Sequence, residues 1–324
     1  MFDVISLGTA TLDVFLRSPG LEVDEKSGEK DICVRYGAKI EVNEIFFETG
    51  GGGTNTAVTF SRQGLKAACI VQIGGDFAGE KIIADLMNEG VETELLDIQK
   101  ENFTDYSTIL WAGDGGRTIL VYRGKTRLEK TGVFWDKLQT NWFYISSLEG
   151  NLEIVKEIIS KFPDSRIAWN PGGRELSQKE ELLPMLNNVT VLNINKEEME
   201  QLLGKTGEIG ELLVEAQKLP CLYIVITDDQ RGAYLWSKEE KAWFHSGIFE
   251  DSPRVETTGA GDSFASTFTS AIALGKKIPE ALSWGPVNSM SVVQQIGAQK
   301  GLLFRDKLEM HLKNAPKSFT PQKI

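Results

Sequence analysis

The stretch Thr257-Thr258-Gly259-Ala260-Gly261-Asp262-Ser263-Phe264 says most about chemistry. Small residues let a backbone approach a ligand closely. They lead directly into an apolar helical pattern at Phe264, Phe268 and Ile272. The amides of Gly259, Ala260 and Gly261 are then expected at a helix N-terminus, where unpaired N–H groups and the dipole favour an anion. A carboxylate beside a bound phosphate, Asp262, makes sense if it accepts the proton of a hydroxyl that attacks the phosphorus. An acid in a first helical turn is also ordinary, and spacing alone leaves both readings open.

Two further clusters carry weaker signals. Gly50-Gly51-Gly52-Gly53-Thr54-Asn55 makes a tight strand-to-helix passage that could bring amides and Asn55 to a polar ligand, or could be a flexible capped turn. In Asn193-Ile194-Asn195-Lys196-Glu197-Glu198, Asn195 and Glu198 are three apart at a helix start. Oxygen donors there suit Mg²⁺, and the same pair reads equally as a capping box. Other motifs fail. Gly124-Lys125-Thr126 and Gly204-Lys205-Thr206 lack the upstream glycine of a P-loop, with Ile119 and Met199 in its place. Thr56 breaks G-x-G-x-x-G, and Ala265 breaks a G-x-S-x-G elbow.

The elements that must hold these residues alternate. Short apolar runs (Asp3–Leu7, Ala68–Ile73, Trp142–Ile145, Arg166–Trp169, Val189–Leu192, Leu222–Thr227) are separated by helical patterns (Thr54–Gln63, Gly79–Glu89, Leu152–Phe162, Lys196–Leu203, Ile209–Lys218). That predicts a mostly parallel sheet with helices on both faces, a doubly wound α/β fold. Gly232–Trp236 and Lys241–Phe244 read as a hairpin, and helices follow at about Ala260–Ala273 and Pro279–Ile296. Residues 12–48 break the alternation and predict a small antiparallel sheet acting as a lid, joined by strands from 106–122. Residues 1–11 and 49–312 then form the main domain, and the polar tail 313–324 is expected to be loosely held. The consecutive Ile45, Phe46 and Phe47 make a lid-mediated homodimer an expectation.

Composition narrows the class. With 35 Lys and Arg against 46 Asp and Glu, the net charge is −11, which disfavours nucleic-acid and membrane partners. Cys33, Cys69 and Cys221 are far apart, without metal-ligand spacing, and read as packing residues. The start MFDVISLGT has no basic region typical of a signal peptide, so a cytoplasmic location is expected.

Taken in order, these residues resemble the ribokinase family of carbohydrate and nucleoside kinases, the PfkB type. Gly50–Gly79 is similar to its N-terminal pattern, Thr257–Phe264 to its C-terminal pattern, and Asn195-x-x-Glu198 to its N-x-x-E element. The resemblance implies a Rossmann-like domain with a small β lid, and transfer of the ATP γ-phosphate to an alcohol with Mg²⁺. It implies Asp262 as base and Gly259, Ala260 and Gly261 as an anion hole. It assigns Asn195 and Glu198 to Mg²⁺ and its waters, and Asn195, Thr227, Gly232 and Asn288 to the nucleotide. Asp13, Gly51, Gly52, Asn55 and Glu149 fall around the sugar. Glu256 and the Gly297 region mark a monovalent-cation loop that binds K⁺ in some members.

The sequence departs from the family in places. Glu256 stands where many members have Asp, and Asp228-Asp229 follow Thr227 where a glycine is frequent at the second place. Gly52 and Thr11 replace a lysine and an asparagine of ribokinase itself, which counts against ribose. The expectation is a kinase for an unphosphorylated sugar or nucleoside. Alternatives are a phosphosugar kinase using Arg123, Lys125 and Arg127, a non-catalytic sugar- or nucleotide-binding regulator and, more distantly, a dinucleotide oxidoreductase.

Overall fold

The computed structural model describes residues 1–26, 28–112, 116–125, 127–249 and 253–324. Thr126 of the P-loop look-alike therefore lies outside the described residues, as do residues 113–115 of the 106–122 stretch.

A nine-stranded sheet runs Gln322–Lys323, Ala242–Ser246, Ala233–Ser237, Tyr223–Thr227, Val191–Asn195, Arg166–Trp169, Thr140–Ile145, Phe2–Leu7, Ala67–Ile70. The strands from Tyr223–Thr227 to Ala67–Ile70 pair in parallel, and the remainder is an antiparallel extension. Their near-continuous apolar character follows from burial on both faces. Ile5, Leu7, Phe143, Ile145, Leu192 and Ile194 pack into one core; Val4, Trp142, Tyr144, Val191 and Val225 pack into the other, with Phe264 and Phe268. On that second face lie the helices Gly52–Arg62, Ala260–Ala273 and Ile278–Val293, the middle one touching both others. The last ends three residues before the expected Ile296.

A second sheet has the order Arg117–Tyr122, Asp105–Trp111, Thr11–Arg17, Glu44–Gly50. It is mixed rather than antiparallel as expected, because Thr11–Arg17 pairs in parallel with Asp105–Trp111. The charged segment takes no part: Glu22–Lys26 and Glu29–Cys33 form a separate hairpin. The alternation of side chains gives this sheet two unlike faces. Asp13, Phe15, Ser107, Ile109, Ile119 and Val121 line a cavity on one. On the other, Leu12 and Val14 pack on Ala78, while Ile45, Phe47, Leu120 and Tyr122 stand exposed.

The tail is not loose. Gln322–Lys323 adds the ninth strand beside Ala242–Ser246, and Phe319 is buried with its ring 5.0 Å from that of Phe249. An aromatic anchor and two ladder residues outweigh the polar composition. Cys69 and Cys221 are buried, and Cys33 is exposed.

Candidate active site

In open α/β sheets ligands bind beyond the carboxyl ends of the strands. Here Asn195 and Thr227 end neighbouring strands in register with each other. The helix Ala260–Ala273 begins beside them, with Gly259 as its N-cap at φ 80°. Only a residue without a side chain suits that turn: a Cβ on Gly259 would lie 2.5 Å from Cβ of Ala298. Asp262 sits in the first turn of this helix. The Gly52–Arg62 helix starts alongside after Gly51 at φ 97°, and a Cβ on Gly52 would fall 2.7 Å from Oγ of Ser146 and 3.5 Å from Oδ1 of Asp262. The two glycine-rich turns therefore converge on one carboxylate.

Asn55 Nδ2 donates to Asp262 Oδ2 at 2.9 Å. Gln299 Nε2 donates in turn to Asn55 Oδ1 at 3.1 Å and to Thr54 Oγ1 at 3.3 Å, which fixes the Asn55 amide with its NH₂ toward Asp262. Burial pushes the Asp262 carboxyl above its ordinary range, and the Asn55 bond opposes the rise. A raised carboxylate is a stronger proton acceptor.

Asp262 lines two cavities. One, of about 250 Å³, is bounded by Asn170, Asn193, Asn195, Glu198, Thr227, Gly259 and Gly261. Asn195 and Glu198 do form the capping box: Asn195 Oδ1 accepts from the Glu198 amide at 2.8 Å, and Glu198 Oε2 accepts from the Asn195 amide at 2.9 Å. That bonding engages one oxygen of each side chain, and both residues face the cavity. Burial raises the pKa of Glu198. Next to this space, about 180 Å³ lies between Phe249, Phe264, Pro286, Met290 and Val293, with Thr227, Gly232, Arg254 and Ser289 at its polar edge. An apolar slot opening onto polar groups suits a nucleobase with its sugar.

The other cavity bounded by Asp262, about 330 Å³, lies under the second sheet. Asp13, Gly51, Asn55, Ser107, Arg123, Glu149 and Thr258 line it, with Ile119 and Val121 as an apolar roof. Asp13 is raised to about 6, chiefly by burial, while hydrogen bonds from Ser107 and Thr11 pull it down. Both ends of the roof strand are tied to the main body. Arg123 lies 3.2 Å from Glu149 and 4.0 Å from Asp105; Arg117 pairs with buried Glu256 and reaches Thr257 Oγ1 at 3.1 Å. Glu256 also accepts from the amide and hydroxyl of Thr258, so Arg117 holds the turn that leads to Gly259.

Most of the residues singled out in the sequence therefore meet. Asn288 does not: it is fully buried, with its amide spent on Thr267 Oγ1 at 2.7 Å and on the Leu303 N–H at 2.7 Å. Its neighbours Ser289 and Met290 line the slot instead. The Ala260 N–H turns back to the Thr257 carbonyl at 3.2 Å, whereas Gly259 and Gly261 face the cavity. Gly297, at φ 87°, is packed on Glu48, and its neighbour Ala298 rather than Gly297 itself abuts the Gly259 turn. Sequence reasoning missed Ser107, Arg117 and Gln299, and gave no role to Asn170, at a strand end on the ligand face, or to Asn193. The alternation of residues 117, 119, 121 and 123 on one strand face was the available signal for Arg117, and polar Asn193 within one apolar strand and Asn170 at the end of another were signals too; Ser107 and Gln299 carry none that is local.

The sequence profile described as pfkB family carbohydrate kinase matches residues 2–304. The chain belongs to the pfkB family. This pfkB-family protein is 26% identical to ribokinase of Bacillus subtilis over 267 residues, 80% of this chain and 86% of that one. It is 24% identical to a nucleoside kinase of Methanocaldococcus jannaschii over 264 residues, covering 80% and 83%. Its fold matches the structure of Arabidopsis thaliana ribokinase complexed with ribose and ATP with a TM-score of 0.75, at 20% identity, over 96% and 99% of the chains. The α/β fold is thus the ribokinase fold, and the pfkB-family chain is a kinase of the sugar and nucleoside class. Among the described residues no helix is long and apolar enough to cross a membrane.

Proposed function

We propose that this kinase moves the γ-phosphate of ATP to a hydroxyl of an uncharged sugar or nucleoside, with Asp262 as the base. The observation that carries the reading is the position of Asp262 on the wall shared by two cavities, fixed by Asn55. A hydroxyl bound under the second sheet would meet Asp262 on one side, and a phosphoryl group at the Gly259–Gly261 turn would lie on the other. Phosphoryl transfer needs such positioning and electrostatic help more than covalent chemistry.

The apolar slot at Phe249 and Met290 suits adenine, and Arg254 and Thr227 suit the groups beyond it. Asn195 and Glu198 offer oxygens to Mg²⁺, which commonly keeps its waters and binds phosphate besides; bound there, it neutralises charge on the triphosphate. The chain's own contribution is to orient. Asp13 accepts hydrogen bonds from the acceptor's hydroxyls, Gly259 and Gly261 turn their amides to the phosphoryl group, and Ile119 and Val121, exposed here, would pack on a bound acceptor and exclude water, which makes the second sheet a lid. Arg117 supplies a cation to one oxygen of Glu256, while its other oxygen, Oε2, is buried without a partner.

The charge around the acceptor cavity favours an unphosphorylated substrate. Its lining carries Asp13, Asp105, Glu149 and Asp262, and the one lining cation among the described residues, Arg123, is paired with Glu149 and Asp105. A sugar phosphate would have to break those pairs. The exposed outer residues Ile45, Phe47, Leu120 and Tyr122 suit a second copy of the chain as partner.

The test is ADP release with Mg²⁺ and ATP against pentoses, hexoses, nucleosides and their phosphates, with and without K⁺. The reading expects turnover with an uncharged acceptor and little with its phosphate. A non-catalytic regulator would bind and release nothing; preference for a phosphorylated acceptor would overturn the charge argument.

A further inference from the structure

Among the buried side chains described, Asn193 alone leaves both its carbonyl oxygen and its NH₂ without a partner. It is 2% exposed, so neither atom is hydrated by bulk solvent. Buried amides left this way lose their water without recovering the hydrogen bonds, and native folds rarely keep them without a reason. The residue is also out of pattern: it interrupts Leu192 and Ile194, both buried, in a strand otherwise suited to apolar residues. Its backbone carbonyl accepts from Asn170 Nδ2 at 2.9 Å. Strand alternation puts the Asn193 side chain on the same face as Asn195, one step deeper. There it borders the cavity shared by Glu198, Thr227, Gly261 and Asp262.

We propose that Asn193 is a contact for the terminal phosphate of the nucleotide and its metal, with Nδ2 donating to a phosphoryl oxygen and Oδ1 accepting from a metal-bound water. This rests on the kinase reading above. A neutral amide suits the place because it serves a phosphoryl acceptor and a water donor at once; a carboxylate would repel the phosphate. The orphaned atoms are then a pre-arranged polar floor, unsatisfied only until the nucleotide arrives.

The test uses Asn193→Leu, nearly isosteric and suited to the strand, in the full chain. Melting is followed without ligand, with Mg²⁺ and a non-hydrolysable ATP analogue, and with Mg²⁺ and ADP. The proposal expects an unchanged or higher midpoint without ligand, because an unsatisfied amide has been removed. It expects at least a tenfold loss of affinity for the analogue, less than threefold for ADP, and a KM for ATP raised at least tenfold. Wild-type affinity for the analogue, or equal losses for analogue and ADP, would overturn it. If Asn193→Leu does not fold, Asn193→Val gives the same readouts, and failure of both to fold would assign the amide to structure and overturn the proposal. A wild-type chain that neither binds the analogue nor releases ADP with any acceptor would instead sink the kinase reading itself.

Discussion

Asn55 and Asp262 stand 207 positions apart in the chain, and the Asn55 side-chain nitrogen donates to the Asp262 carboxylate at 2.9 Å. One bond thereby joins the first helix turn after Gly50–Gly53 to the first turn after Thr257–Gly261. Each glycine-rich motif supplies half of a site that neither forms alone.

Removing that bond should shift the pH profile. Burial raises the pKa of Asp262 and the Asn55 bond lowers it. Without the donor the pKa rises further, so the ionised base is present only at higher pH. Asn55→Leu should move the acidic limb of kcat to higher pH and lower kcat at neutral pH about 10- to 100-fold, as weakened general base catalysis implies. A log kcat against pH series checks it; a limb that stays in place contradicts the coupling.

Asp13 makes a prediction about stability. Its pKa is about 6 against 3.8 for the unperturbed group. The folded chain therefore holds a proton that the unfolded chain has lost between those values, and folding is penalised as pH rises from about 4 to 6. The two-unit shift corresponds to about 3 kcal/mol at full effect. Asp13→Asn should melt higher than wild type at pH 7.5 and lose that advantage near pH 4, while its acceptor KM rises at neutral pH. Scanning fluorimetry across pH with acceptor titrations checks both; equal melting at every pH contradicts the burial argument.

Gly259→Ala tests the turn itself. Its φ of 80° and the approach of Ala298 forbid a Cβ without displacement. An amide pointed at a developing charge contributes about 10²- to 10³-fold to turnover in related chemistry. The variant should lose kcat on that scale with the acceptor KM within about threefold, as loss of a transition-state contact implies. A raised KM at unchanged kcat would place the turn outside the chemistry.

Much of this was legible from residue types. The parallel sheet followed from apolar strands such as Asp3–Leu7 and Leu222–Thr227, because burial on both faces leaves a plain signature. Asp262 and Asn195 stood out because helix starts place them, whereas Thr227 came from the family resemblance. What was hidden depends on distance in sequence. Arg117 meets Glu256 across 139 positions and Gln299 meets Asn55 across 244, so no window contains either pair. Asn288, assigned by the family resemblance, misled because a polar residue on an apolar helix can also serve the core, and here Thr267 takes it. The tail misled because its composition is polar, while one aromatic, Phe319, decides its placement.

The central claim is that Asp262 takes the acceptor proton. It is tested most directly by single-turnover phosphate transfer in Asp262→Asn, with ATP binding measured on the same protein. The account predicts transfer slowed by about 10³-fold or more, at the upper range for a positioned base, with melting no lower than wild type, since a buried carboxyl with a raised pKa is removed, and ATP affinity within about threefold. Transfer within tenfold of wild type would contradict it and leave Asp262 a helix-turn acid without a part in the reaction.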